Sequence, residues 1–490
     1  MRASAVVLEL ALLAVVLAGA LRLYSLHADF PLGLHPDEKR KARAARDAAP
    51  EFFHPHALYH ATRLAASAAG ARSLQEIAEA GRAASAWFGV GLVAASFALF
   101  RRGLARPTAL AATAVVAATP ILAVHAHYLK EDVCFAFATT LALVALVAFE
   151  RTRSRRALVA LGLATGFAIA SKYTGVVLFA VYAAIPLAAE VRDRRAWYRT
   201  LGAVAALALG VFAGVDAALF AERAAFVAGF AHELRHALRG HDFAIGAPGQ
   251  LFAFHLRQSL VPGVGVGVTG AALAGAAYAA RRGAPAIDRV LAVAFAGFYL
   301  AIELAPIKPF PDFMRYALPL APLAVYFAAR AADVLAARVA PRAAWAAAAL
   351  LLALGTPAAL RAARLVAALG DDTRFAAGAR VRALPGPVVA DDYSVAWRNA
   401  PHPDLAGPPL FDRSDTDLAS ARWAVTSSFR WERFHYGEDL APADARVQRA
   451  AAGYRALFAC PYEEIRAPEG PFAFSNPTIR IVDLARCAPR

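Results

Sequence analysis

The chain carries little charge for its length. Of its 490 residues, 18% are charged and 59% are hydrophobic. A soluble chain of this size would carry roughly 25% charge. Apolar runs long enough to cross a bilayer recur through the first 360 residues. This excludes an ordinary soluble globule and points to a polytopic α-helical membrane protein. Cysteine is scarce as well: Cys134, Cys460 and Cys487 are too few for a disulfide scaffold. Cys134 lies in an apolar run. Cys460 and Cys487 lie near the C-terminus and could pair if that region faces an oxidising compartment. There is no Gly-rich phosphate loop following a strand, the mark of a nucleotide site. There is also no internal repeat of the kind many transporters carry.

What is present is arginine. The formal net charge is +15. The arginines cluster between apolar runs, at Arg101, Arg102 and Arg106, at 151–156, at 192–199, at Arg281, Arg282 and Arg289, and at Arg330, Arg338 and Arg342. That is the positive-inside pattern. The clusters lack interleaved aromatics, so a nucleic-acid partner is not expected. Eleven crossings are expected, near 6–26, 83–100, 107–127, 133–149, 157–170, 174–190, 201–220, 259–280, 287–305, 316–333 and 343–360. The fifth and sixth are short. Arginine clusters flank 157–190 on both sides, so two crossings with a tip at Ser171-Lys172-Tyr173 fit better than one. The first segment resembles a signal peptide, but with many spans after it, it reads as an uncleaved helix. The N-terminus is then cytoplasmic. Residues 27–82, 221–258, 306–315 and everything after 360 lie outside. The first outer loop departs from the rule, since it carries Lys39, Arg40, Lys41, Arg43 and Arg46. Two domains follow: a transmembrane module at 1–360 and a small α/β extracytoplasmic domain at 361–490. The second has β-type runs at Pro387-Val-Val-Ala390, Trp423-Ala-Val-Thr426 and Thr478-Ile-Arg-Ile-Val482.

Only five of the 52 basic residues are lysine: Lys39, Lys41, Lys130, Lys172 and Lys308. All five fall in expected outer segments, at the mouths of spans. They share that face with acids. Asp37 and Glu38 follow the first span, and acids at such a boundary commonly have a use. One could act as a general base, or the pair could hold a divalent cation. Equally, they could complement the dipole of a helix that begins at Pro36. His127-Tyr-Leu-Lys130-Glu131-Asp132 joins spans three and four with more charge than a short linker needs. Lys172 at the hairpin tip suits a lipid phosphate, or simply snorkels from a helix end. Lys308 and Arg315 flank the start of span ten and could clamp a phosphate. One motif points elsewhere: His232-Glu233-Leu-Arg-His236 matches the H-E-x-x-H helical zinc site, with His241 nearby but not at metzincin spacing.

Taken in order, these elements resemble the dolichyl-phosphate-mannose–protein mannosyltransferase-like (family 39) glycosyltransferases, of the GT-C membrane fold. The likeness rests on several elements spread over residues 1–330. They are Asp37-Glu38 after the first span, Phe52-Phe-His-Pro-His56-Ala-Leu-Tyr59 in the first outer loop, and Lys130-Glu-Asp132 opening span four. Gly166 to Tyr173 and Phe313-Met-Arg-Tyr316-Ala-Leu-Pro319 complete the set. Lys130 stands where relatives often have arginine. The resemblance implies an integral protein of the cell membrane with an extracytoplasmic active site. There it would move a sugar, with inversion, from a polyprenyl-phosphate carrier to a protein, lipid or polysaccharide acceptor. It implies Asp37, with Glu38 and Asp132, as catalytic residues. It implies Lys130, Lys172, Lys308, Arg315, Tyr316, His54 and His56 as substrate or phosphate contacts. A divalent metal at Asp37 and Glu38 is the one cofactor such a site could take. Two other classes remain open: a transporter or lipid flippase, and a membrane metalloprotease using His232, Glu233 and His236.

Overall fold

A computed structural model describes residues 12–15, 18–23, 35–188, 193–239, 252–305, 312–339, 343–391, 393–396, 410–412, 415–440 and 444–487. It is mostly helical. Five described helical stretches have by themselves the length and apolarity of a crossing: Leu74–Phe100, Asp132–Thr152, Arg194–Val215, Leu320–Arg338 and Ala343–Arg382. Leu256–Val264 and Val266–Ala279 would pass together, but they meet at 113°. The expected crossing at 107–127 is broken. Helix Arg106–Ala117 stops before Thr119, which is extended, and a second helix starts at Pro120. Proline lacks the N–H a continuous helix needs and pushes the preceding residue out of the helical region.

The elements that build the site are α1 (Glu38–Arg46), α2 (Ala57–Ala69), α3 (Leu74–Phe100), α4 (Asp132–Thr152), α5 (Arg155–Ser171), α6 (Arg194–Val215) and α7 (Arg223–Arg239). α3 starts with a capping box: the Ser73 hydroxyl accepts from Glu76 N–H, and Glu76 accepts from Ser73 N–H. α5 and α6 pack closely through Gly166, where a Cβ would come within 2.7 Å of the Ala208 carbonyl. α5 ends at Ser171, Lys172 is extended, and a short 3₁₀ turn at Tyr173–Val176 leads into Val177–Ala188. The chain therefore does turn at Lys172. The second arm packs on Ala286–Leu304, where Val181 lies against Gly297.

α4 separates two polar ends of the bundle. It has 21 residues, about 30 Å of helix at 1.5 Å per residue. Past one end, Arg153 lies over the rings of Phe149 and Trp197, joining the arginine clusters at 151–156 and 192–199. Arg330 likewise donates to the Gly103 carbonyl and pairs with Asp288 at 2.8 Å, so the other arginine loops also meet one another. At the other end of α4 stands Asp132, among the acids and lysines singled out above.

The C-terminal region carries a four-stranded sheet in the order β1-β2-β4-β3. β1 (Val388–Ala390) pairs parallel with β2 (Trp423–Ser427). β4 (Ile479–Asp483) pairs antiparallel with both β2 and β3 (Tyr462–Ile465). Ala424, Val425, Ile479, Ile481 and Val482 are buried, and Cys460 is bonded to Cys487. The turn at 472–476 is strapped back to the helical region. Asn476 N–H donates to Asp372, Thr373 N–H to Asn476 Oδ1, and buried Arg374 to the Phe474 carbonyl and to Asp372. Its apex, Phe474, reaches the cluster described next.

Candidate active site

Asp37 and Glu38 are neighbours that do different things. Asp37 occupies the cap position of α1, yet its side chain caps nothing. The carboxylate instead takes an ion pair from the Lys130 ammonium, with Arg40 at 3.5 Å. Asp37 keeps a quarter of its side chain open. Glu38 is fully buried. Arg82 of α3 donates to both of its oxygens, Nε at 2.9 Å and Nη2 at 2.6 Å, and the Leu129 N–H adds a third bond at 3.0 Å. Successive residues of a helix are turned about 100° apart, so the two carboxylates leave α1 in different directions. Glu38 fixes α1 against α3 and against the 128–131 turn. It does not share a ligand with Asp37.

Lys130 is the hub. Its Nζ bonds Asp37, lies 2.8 Å from Glu131 Oε1 and 3.1 Å from His54 Nε2. Glu131 is itself buried and pairs with Lys41 at 2.7 Å and His54 at 3.2 Å. Asp132, the next residue, turns to another group: the Lys172 ammonium bonds its Oδ1, and Arg315 lies 4.0 Å from its Oδ2. Lys172 sits 4.8 Å above the Tyr316 ring and Arg315 5.6 Å from it. The sequence elements at 37–41, 54, 130–132, 172 and 315–316 thus come together.

Electrostatics set the protonation states. Burial alone would raise the Asp37 carboxyl, but the charges of Lys130 and Lys41 work against it, and the group is held well below the usual carboxylate range. Burial would lower the Lys130 ammonium, and Asp37 and Glu131 more than reverse that, so it stays charged. Burial, with Lys130 and Lys41 adding to it, drives His54 well below its ordinary value despite Glu131, leaving a neutral imidazole.

The remaining expected residues fall as follows. His56 is buried away from Lys130. Its ring Nδ1 lies 3.2 Å from Asp216 Oδ1, and its backbone N–H donates to the same oxygen. Lys308 lies outside the described residues. A metal held by Asp37 and Glu38 does not fit the residues present. Glu38 is taken up by Arg82 and Leu129, and the Lys130 ammonium already stands among Asp37, Glu131 and His54. Among the described residues, no three His, Cys, Asp or Glu side chains group as a metal site would need. The H-E-x-x-H segment lies on α7, where the His232 ring packs edge-on against Phe53 at 4.9 Å. His241 and the His236 side chain lie outside the description.

Five contributors were not expected as site residues from the sequence, the first being Glu131 on Lys130, Lys41 and His54. Lys41 and Arg40 belong to the loop that breaks the positive-inside pattern, which was their signal. His35 accepts the Asp37 N–H at its Nδ1 (3.3 Å). Phe474 comes from the C-terminal region, with its ring 4.5 Å from that of His35 and 5.7 Å from the Arg315 guanidinium. Nothing local in the sequence marks it.

Residues 76–229 match the family described as dolichyl-phosphate-mannose-protein mannosyltransferase. ArnT from Cupriavidus metallidurans, solved bound to undecaprenyl phosphate, is 15% identical with a TM-score of 0.56, and 99% of each chain is covered. The archaeal oligosaccharyltransferase AglB from Archaeoglobus fulgidus, solved with an inhibitory peptide and a dolichol-phosphate, is 14% identical with a TM-score of 0.57. That match covers 96% of this chain and 74% of AglB. No curated protein matches the chain. Over residues 76–229 the chain matches the dolichyl-phosphate-mannose-protein mannosyltransferases, and over nearly its whole length it has the fold of the GT-C membrane glycosyltransferases.

Proposed function

We propose that this protein is a membrane glycosyltransferase that moves a sugar from a polyprenyl-phosphate carrier to an acceptor hydroxyl on the outer face of the cell membrane. The observation that carries this reading is the group around Asp37: a partly open carboxylate, ion-paired to Lys130, one residue pair away from the cationic Lys172 and Arg315. Two proteins of the same fold were solved with a polyprenyl phosphate bound, which supports a carrier of that class here.

The chemistry is a single displacement. Asp37 takes the acceptor's proton while the acceptor oxygen attacks the anomeric carbon. The bond from that carbon to the carrier's phosphate oxygen breaks, and the phosphate leaves with the electron pair. One displacement inverts the anomeric configuration. Lys172 and Arg315 offset the charge that grows on the leaving phosphate. Asp132 holds those two cations in place, and Tyr316 supports them from below. In the resting site Lys130 neutralises Asp37 and makes it a weak base. An arriving phosphate competes for that ammonium and so returns basicity to Asp37 when the donor is bound.

The topology that goes with this reading has eleven crossings, a transmembrane module at 1–360 and an extracytoplasmic domain at 361–490. The meeting of the arginine clusters past one end of α4 supports it. So does the Cys460–Cys487 disulfide, which suits an oxidising compartment. A transporter reading has less support, since the charges gather at the ends of helices and not at mid-bundle.

The test is a transfer assay with purified full-length protein in lipid vesicles, a panel of radiolabelled polyprenyl-phosphate sugars, and membrane extract as acceptor source. Label should pass from at least one donor to an acceptor. No transfer from any donor, with folded protein, would overturn the reading.

A further inference from the structure

The turn at 472–476, between β3 and β4, is strained and tightly held. Ala473 and Asn476 have φ of 52° and 51°, the left-handed region that residues other than glycine enter at a cost. Besides the straps to Asp372 and Arg374, Asn476 Nδ2 donates to the Ala368 carbonyl at 3.2 Å and Thr373 Oγ1 to the Pro477 carbonyl at 2.5 Å. Ser475 Oγ closes the turn onto the Phe472 carbonyl at 2.8 Å. Backbone strain persists where the surroundings over-determine it, and it gathers at functional sites. The side chain aimed by this turn is Phe474. Its ring is buried, stands edge-on to the His35 ring at 4.5 Å, and has the Arg315 guanidinium 5.7 Å from its centre.

We propose that Phe474 is a positioning residue of the active site. From the C-terminal region it keeps water off His35, which holds the Asp37 backbone, and it steadies Arg315 for the carrier's phosphate. The proposal rests on the glycosyltransferase reading and adds to it a residue that acts through two others.

His35 is the first of the two. Its Nδ1 accepts the Asp37 N–H, so that nitrogen carries no proton. A protonated imidazole has no acceptor, and the bond that orients the start of α1 would be lost. His35 is buried, with the Tyr128 ring at 5.2 Å and the Phe474 ring at 4.5 Å. The charged groups facing it are Asp37, Lys130, Arg315 and Asp132. Burial, aided by Lys130 and Arg315, holds the imidazole well below its ordinary value against the pull of Asp37 and Asp132. Removing the Phe474 ring weakens the burial that keeps His35 neutral. Arg315 is the second. Its guanidinium lies 5.6 Å from the centre of the Tyr316 ring and 5.7 Å from that of Phe474. An aromatic face attracts a cation without neutralising it. A further acid in that place would also fix Arg315, but it would cancel the charge that the leaving phosphate needs.

The experiment uses full-length protein in lipid vesicles: wild type, Phe474→Leu, Phe474→Ala and Phe472→Leu. Phe472 belongs to the same turn, is also buried and lies over Arg361, so its variant reports the cost of loosening the turn alone. Thermal unfolding is followed on each protein. The three readouts are binding of a labelled polyprenyl phosphate with no sugar attached, modification of His35 by diethyl pyrocarbonate at pH 7 read by mass spectrometry, and the pH dependence of transfer. Phe474→Leu keeps the apolar cover but not the aromatic face. It should weaken phosphate binding roughly threefold to tenfold and leave His35 protected. Phe474→Ala should weaken binding as well, expose His35 to modification, and give kcat a new acid limb as pH falls towards about 6.5, the ordinary imidazole value. Phe472→Leu should lower Tm and move none of the three. Wild-type phosphate affinity in Phe474→Leu would overturn the proposal. So would a protected His35 with an unchanged pH profile in Phe474→Ala, or the same shifts in Phe472→Leu. If Phe474→Ala does not fold, the comparison of Phe474→Leu with Phe472→Leu decides. If wild type transfers nothing while binding and modification behave as described, the hold of Phe474 on His35 and Arg315 stands and the glycosyltransferase reading falls.

Discussion

Glu131 and Asp132 are adjacent in the chain, yet their carboxylates serve two groups of opposite character. Among the described residues, two cations, Lys172 and Arg315, stand against Asp132. Around Glu131 the charges balance, with Lys41 on Glu131 and Arg40 on Glu51. A surplus of positive charge suits a phosphate whose own charge grows during reaction. Asp37 is tied to the balanced group through Lys130 and Arg40, and its N–H bonds His35, which packs on Phe474 beside Arg315. A cluster that reads from sequence as one charged cavity thus divides into two groups, with Asp37 on the side of the balanced one.

Changes at the two neighbouring acids break this picture most sharply. Asp37→Asn should lower kcat by about 10²–10⁴-fold, the usual worth of a positioned base, with the folded fraction unchanged. Glu38→Ala should instead destabilise the fold by about 3–5 kcal/mol, because it takes a buried carboxylate away from the buried Arg82 guanidinium. Thermal unfolding followed alongside the transfer assay separates the two. The second largest effect belongs to the cationic compartment. Arg315→Met should cost roughly 10²-fold in kcat/KM for the donor, measured by varying donor at saturating acceptor.

pH sharpens the role of Lys130. The Asp37 carboxyl is depressed in the folded protein, so it remains ionised as pH falls through the ordinary carboxylate range. Transfer should therefore persist there, while any stability tied to this ion pair is lost progressively as pH falls from the ordinary carboxylate range to the depressed value. Lys130→Met removes the strongest of the charges that hold the group down, so the acid limb of the kcat/KM profile should move to higher pH. An unmoved limb would mean that Lys130 does not set the basicity of Asp37. The smallest effect is expected far from the site. Arg380 and Glu463, each about half exposed, pair at 2.7 Å on the C-terminal sheet. Arg380→Ala should cost less than about 1 kcal/mol and leave transfer unchanged.

Much of the site was legible because its residues sit at helix mouths that periodicity and arginine placement already put on one face. Lys130, Asp132, Lys172 and Arg315 are of this kind. The three β-type runs at 387–390, 423–426 and 478–482 were legible for a similar reason, since each is a short apolar stretch between turn residues. β3 was not, because Tyr462-Glu-Glu-Ile465 is mostly exposed and has no apolar alternation to read. The division of labour between Asp37 and Glu38 was not legible either. It depends on Arg82, 44 residues further on, lying opposite one carboxylate and not the other. The contribution of Phe474 depends on a turn strapped to Asp372 and Arg374 from 100 residues away. Such contacts are set by packing between distant segments, and no local pattern announces them.

The measurement that bears most directly on the account separates donor binding from turnover. Labelled polyprenyl-phosphate sugar is titrated into vesicles holding wild type, Asp37→Asn or Arg315→Met, and single-turnover transfer is followed on the same samples. The account predicts that Asp37→Asn binds the donor at least as tightly as wild type and does not turn it over, while Arg315→Met loses affinity. If Asp37→Asn turns over at the wild-type rate, or if Arg315→Met binds the donor as wild type does, the assignment of base and phosphate group is wrong.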